Sequence, residues 1–187
     1  MEKDYKKYRW FFTSSGNLVM GGKSSKQNEE LVKSADKEDI ILHTASPGSP
    51  FCIIKNPSKN DIDECAVFNA CFSQEWKRGK NKSEVHIFSG KYIVKNKGMK
   101  EGTFGIIGPV KKKQVELKLT LCFQNQILRA VPVKTVGQEG MLVIMPGKIQ
   151  KEKAAENILS LLKEKFNVFV SKENVLSAIP SGGFEIR

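Results

Sequence analysis

Residues 8–22 read YRWFFTSSGNLVMGG. Two apolar runs flank Ser14-Ser15-Gly16-Asn17, a cluster of turn-forming residues, so the stretch predicts a β-hairpin. Alternation along the first run sets Tyr8, Trp10 and Phe12 on one face. Such a face is usually core, which is the reading taken for Trp10, although aromatics of this kind also stack on bases of single strands.

Working outward, Ser24 or Ser25 is placed to cap a helix over SKQNEELVKS, with Gln27 and Asn28 at the spacing of a capping box. DIILHT (39–44) and PFCIIKN (50–56) read as strands joined by an exposed turn, ASPGS. A long helix is predicted from Asn60, as its cap, to Trp76, with acids in the first turn. Ile62, Cys65, Ala66, Asn69, Phe72 and Trp76 follow helical spacing, and Trp76 is read as core. Lys77, Arg78, Gly79 and Lys80 close that helix. EVHIFS (84–89), KYIV (91–94) and GTFGIIG (102–108) read as strands, the last two separated by a cationic loop. Beyond Lys113 come alternating runs, VELKLTLCF and ILRAVPV, then MLVIMPG and an amphipathic helix over 148–166. The expected class is α+β: a mixed or mainly antiparallel sheet with packed helices over 1–113, and a small C-terminal αβ subdomain over 114–187, with the boundary near 113–115.

The charge is unevenly placed. Of a net +11, residues 77–113 carry 11 basic and two acidic side chains, whereas residues 1–76 sum to −1 and residues 114–187 to +3. A concentrated positive field points to a polyanionic partner. No apolar run is long enough to span a membrane, and the mixed charge of MEKDYKKYRWFF does not read as a secretory leader, so a cytoplasmic protein without a membrane partner is expected. Cys52, Cys65, Cys71 and Cys122 lie in apolar runs without C-x-x-C spacing, as buried free thiols do. With two histidines and no phosphate-binding, G-x-S-x-G or paired-carboxylate motif, neither a metal nor a cofactor is expected.

YRWFFTSSGNLVMGGKSSKQNEELVK, EDIILHTASPGSPFCIIKNP, AVFNACFSQEWKRG and YIVKNKGMKEGTFGIIG occur in series over roughly residues 8–113. Together they resemble the NFACT-R domain, the RNA-binding module of NFACT proteins in ribosome-associated quality control, and in particular its stand-alone archaeal-type members. The chain departs from the family at Ala45 and Pro47-Gly48-Ser49, where an acidic residue and a His-Gly-Ala-like turn are usual, and at Lys23, where arginine is common. The resemblance does not extend to the N-terminal and coiled-coil parts of full NFACT proteins, so peptide tailing is not expected.

The resemblance and the charge together nominate nucleic-acid-binding residues. Lys95, Lys97 and Lys100 are either a solvated loop or phosphate contacts, and the lysine of the family motif falls on Lys95. Lys77 and Arg78 lie close to them in sequence. Lys23 follows Gly21-Gly22 at a helix start, where free N–H groups and the positive dipole end suit a phosphate. Asn28 either caps that helix or touches a base or ribose, and His43 is either a satisfied structural histidine or a nucleic-acid contact. Three functions are weighed. The first is a non-catalytic module for structured RNA, tRNA or ribosomal RNA, working in translation or quality control on the ribosome. The second is an RNA-processing or RNA-modifying enzyme using His43. The third is a ribosome-docked adaptor that recruits a protein partner through residues 114–187.

Overall fold

The computed structural model describes residues 4–187. The first hairpin forms as read: β1 (Arg9–Phe12) pairs antiparallel with β2 (Leu18–Gly21) around the predicted turn. α1 (Ser25–Lys33), β3 (Ile40–Thr44) and β4 (Cys52–Ile54) follow. After the helical stretch come β5 (Lys82–Ser89), a two-residue ribbon of β6 (Ile93–Val94) and β7 (Gly105–Ile106), and β8 (Lys111–Glu116). The first sheet has the order β1-β2-β4-β3-β5-β8 and every pairing in it is antiparallel. KYIV and GTFGIIG therefore contribute only the short β6–β7 ribbon, separate from that sheet.

Two helices replace the single one expected over 60–76: α2 (Lys59–Cys71) and α3 (Gln74–Lys77). The cap is Ser58, not Asn60, because Ser58 stands three residues before Asp61 and the two form a reciprocal capping box. The helical run breaks at Phe72-Ser73. Ser73 Oγ donates to the Ala70 carbonyl and accepts from the Glu75 N–H, so one hydroxyl ends α2 and starts α3. Asn69, the polar member of the buried face, donates from Nδ2 to the carbonyls of Leu42 (3.2 Å) and Pro50 (2.7 Å), fastening α2 to the sheet.

The second half forms its own sheet from β9 (Leu119–Gln124), β10 (Ile127–Pro132), β11 (Val143–Ile149) and β12 (Phe184–Ile186), in the order β10-β9-β11-β12. α4 (Val133–Val136), α5 (Lys151–Phe166) and α6 (Lys172–Ala178) complete it. The boundary expected at 113–115 lies inside β8, and the chain passes between sheets at Leu117-Lys118. One hydrophobic core runs through both halves, from Phe11, Val19, Leu42 and Phe68 to Leu121, Ala130, Ile158 and Phe184. A second cluster lies on the other face of the first sheet, where Met20, Ile41, Ile53 and Phe88 meet Leu31 and Val32 of α1. Strand alternation divides the clusters: Cys52 and Ile54 face the first, Ile53 the second. Trp10 and Trp76 are buried, and the four cysteines are buried and free.

Polar side chains also join the halves. The Gln124 side chain imitates a paired strand residue, its Oε1 accepting the Phe12 N–H at 2.8 Å and its Nε2 donating to the Phe12 carbonyl at 2.7 Å. Glu64 of α2 accepts from the Ser14 amide and hydroxyl in the first hairpin and from Thr135 Oγ1 in the second half. Trp76 Nε1 donates to the Gly183 carbonyl. With core and polar ties shared, the described residues are expected to unfold in one cooperative transition. Urea unfolding followed by tryptophan fluorescence and by far-ultraviolet circular dichroism should coincide. Gln124→Ala, which strands two backbone groups of Phe12, should cost about 1–3 kcal/mol in that assay. Two separated transitions would show the halves to be independent.

Candidate nucleic-acid interface

The site is built at the start of α1. Ser24 Oγ accepts from the Gln27 N–H as the N-cap, while Gln27 Oε1 reaches back to the Lys23 N–H at 2.9 Å. Asn28 is thereby left free of capping. Its Oδ1 accepts the Phe51 N–H at 3.0 Å and ties α1 to the start of β4. Among the described residues its Nδ2 has no protein partner, and Asn28 lines two neighbouring recesses.

The first recess, about 400 Å³, has His43, Phe51 and His86 on the sheet side and Gly102 to Phe104 on the other. His43 is half-buried, faces His86 across the β3–β5 pairing, and lies 4.4 Å from the Phe51 ring, centroid to centroid. Burial, and secondarily the neighbouring His86, lower its pKa against the opposing effect of the Thr44 carbonyl. The ring is therefore neutral at pH 7. Its Nδ1 lies 2.7 Å from that carbonyl, which can only accept, so Nδ1 carries the proton and Nε2 is an acceptor. His86 is engaged differently, with Nε2 3.0 Å from Glu84 Oε1.

The far wall belongs to the basic loop between β6 and β7. Lys95 is the fastener of that loop rather than a free cation. Its Nζ donates to Glu29 Oε2 (2.8 Å) and to the carbonyls of Lys100 (2.7 Å) and Thr103 (3.0 Å), and it sits over the Phe104 ring. Glu29 also accepts the Gly102 N–H at 2.8 Å and pairs with Lys33. Gly102 has φ +71° and lies so near Ser25 that a Cβ would stand 2.8 Å from its Cα, so the approach of loop to helix needs glycine. Lys97 and Lys100 remain exposed on the loop.

The second recess, about 420 Å³, brings together Lys23, Asn28 and Lys77 with Arg9, Ser49 and Ser181. The altered 45–49 turn contributes to its placement, because the Gly48 carbonyl accepts the Gln74 N–H at 3.0 Å and docks the start of α3. Lys77 is exposed there, while Arg78, at the end of α3, is paired with Glu75 at 2.5 Å. The structure thus gathers Lys23, Asn28, His43 and Lys77 around adjoining recesses, uses Lys95 internally, and holds Lys97, Lys100 and Arg78 apart from their lining. Arg9 and Phe104 were not singled out from sequence. The signal for Arg9 was an arginine inside the apolar run YRWFF.

The model of the NFACT protein RNA binding domain matches residues 7–108, more than half of the chain. The chain belongs to this family. The NFACT match takes in the hairpin, α1, both recess-forming turns and the basic loop, and stops before β8, which completes the sheet. Similarity continues further in one relative, the archaeal Rqc2 homolog aRqcH of Methanocaldococcus jannaschii. It is 28% identical over 199 residues, covering 98% of this chain and 29% of that protein. The human ribosome quality control complex subunit NEMF is 33% identical over 78 residues, 38% of this chain and 7% of that protein. The chain therefore spans under a third of the relatives' length. Among solved structures, the C-terminal part of the fibronectin/fibrinogen-binding protein of Streptococcus suis is similar in fold, with a TM-score of 0.51 and 24% identity over 58% of this chain and 44% of that one.

The Lys95 and Gly102 donors, with Lys33, hold the Glu29 carboxyl down at about 2. A depressed acid contributes stability above its unfolded pKa, near 4.5, and loses it as pH falls toward the folded value. The Gly102 amide resonance should accordingly titrate with a midpoint near 2 in an NMR pH series, and the loop should stay docked at pH 4.5. A midpoint near 4.5 would show that Glu29 is not engaged by the loop.

Proposed function

We propose that the chain is a non-catalytic RNA-binding module that holds structured RNA, tRNA or ribosomal RNA, in the cytoplasm and serves ribosome-associated quality control. The single observation that carries this reading is the neutral His43 with an acceptor Nε2 at the wall of a recess bordered by Asn28 and flanked by cations. A neutral acceptor beside an amide donor suits a ribose 2′-hydroxyl, the group by which proteins tell RNA from DNA, as well as a base edge. Lys97, Lys100, Lys77 and Lys23 supply backbone contacts, and Lys95 positions the loop that presents two of them. The family description and the names of the relatives support the same reading, since they refer to RNA binding and to ribosome quality control.

The Thr44 carbonyl fixes the His43 ring and leaves Nε2 to accept, an orientation that recognition and acid–base chemistry share, so RNA cleavage is one of the outcomes the test reads. A protein contact through the second half is the remaining part of the proposal. The exposure of Phe169 (70%) and Phe166 (40%) near the end of α5 favours it.

Fluorescence anisotropy with an RNA stem–loop and its DNA counterpart tests the reading. The wild-type chain should prefer RNA, and His43→Phe should remove most of that preference while sparing salt-dependent binding. Lys97→Ala with Lys100→Ala should weaken all RNAs alike and reduce the slope of log affinity against log salt by about 0.7–0.9 per lost phosphate contact. Equal binding of RNA and DNA by the wild type, or cleavage of the RNA abolished by His43→Phe, would contradict it.

A further inference from the structure

The second recess does not end at Lys77. It continues into a third, about 470 Å³, sharing Arg9, Lys23, Phe72 and Ser181 and adding Arg129 and Lys151 from the second half of the chain. Neither recess is lined by an aspartate or a glutamate. Six cations line the two recesses, Lys6, Arg9, Lys23, Lys77, Arg129 and Lys151, and among the described residues none of them is ion-paired to a carboxylate.

Arg9, Arg129 and Lys151 are held in place by the fold, while Lys23 and Lys77 are exposed at the rim. Arg129 is 8% exposed, held by its Nε–H to the Trp10 carbonyl at 3.1 Å and by its guanidinium 4.6 Å from the Trp10 ring centroid. Arg9 lies over the Phe72 ring, and its Nε is buried with no acceptor. Lys151 Nζ is 3.4 Å from the Ile179 carbonyl. Burial lowers the pKa of Lys23, Arg129 and Lys151, and the charge of Arg9 adds to the effect at each of them. Arg129, lowered to about 10, is still charged at neutral pH. Like charges gathered around one cleft repel one another, and an anion entering the cleft relieves that repulsion. Guanidinium groups held on aromatic rings, with open N–H donors beside serine hydroxyls, match phosphate oxygens.

We propose that this cleft is a phosphate seat of the RNA-binding surface, built by both halves of the chain, in which Arg9, Lys23, Lys77, Arg129 and Lys151 take backbone phosphates of an RNA strand. The inference rests on the RNA-binding reading above and extends it: the second half, to which the sequence assigned only the recruitment of a protein partner, supplies two of the five contacts. One strand running from the cleft past Lys23 to Asn28 and His43 would place phosphate contacts and the sugar or base contact in series, because the recesses adjoin.

The test uses the full chain, a labelled RNA stem–loop, and the variants Lys23→Met and Lys151→Met, with Lys165→Met on the exposed end of α5 as a control for net charge. Each cleft variant is expected to weaken RNA binding several-fold beyond the control and to lower the salt slope by about 0.7–0.9. Each should also melt at the same temperature as the wild type or higher, since repulsion is relieved; a merely structural lysine would lower it. RNA binding by the wild type that matches both cleft variants and the control overturns the phosphate seat and leaves the RNA-binding reading standing. That holds equally if inorganic phosphate raises the melting temperature of the wild type alone, which marks a small-anion site. No RNA binding by the wild type overturns the RNA-binding reading and this proposal with it.

Discussion

The outer edge of β1 is the constraint on which the arrangement depends. A strand at the end of a sheet presents backbone groups that must be paired, covered or left to water. Here the Gln124 amide pairs both groups of Phe12, and Arg129 takes the Trp10 carbonyl. Both side chains come from the second sheet, so the edge is closed by the other half of the molecule. This closure sets Arg129 beside Arg9 and converts the seam between two sheets into a cationic cleft.

Acidic and basic groups are used in opposite ways. Asp61 and Glu64 are buried and serve the interior. They accept from Ser15, Asn17 and Ser58 in one case and from Ser14 and Thr135 in the other, so hydroxyls and amides satisfy them. Burial opposes the ionised form of Asp61, yet these donors outweigh it and hold the pKa below the usual carboxylate range. Glu29 spends its charge on docking the basic loop. The cations of the cleft are left without such partners, so the positive field there is an arranged feature of the fold and not a by-product of lysine content.

Much of the first sheet was legible because its signals are local. Ser-Ser-Gly-Asn between apolar runs, the serine before Lys-Gln-Asn, and alternation in DIILHT each specify a few neighbouring residues. The cap of α2 was placed two residues late, at Asn60, because asparagine and serine share the same residue preference and only the reciprocal bond to Asp61 selects Ser58. The second sheet was partly hidden: β9 and β10 follow from alternation, but β11 pairing with both β9 and β12 is decided by distant segments. The site divided the same way. Lys23, Asn28, His43 and Lys77 were nominated from nearby motifs, whereas Arg9, Arg129 and Lys151 meet only in three dimensions. Lys95 showed a further limit, because a lysine run does not reveal which ammonium is consumed by Glu29 and two carbonyls. A lone arginine in YRWFF and another in ILRAVPV were the available clues to the cleft, each a charge where an apolar strand calls for none.

The account makes one surface of residues that are far apart in sequence, and an NMR titration of the isotope-labelled chain with an RNA stem–loop tests that most directly. The account predicts that the amide shifts that move first lie in Lys23–Asn28, His43–Ser49 and Lys77, together with Arg129, Lys151 and Ser181 from the second half. Perturbations confined to the exposed loop around Lys97 and Lys100, with the Arg129 and Ser181 signals unmoved at saturation, would contradict it.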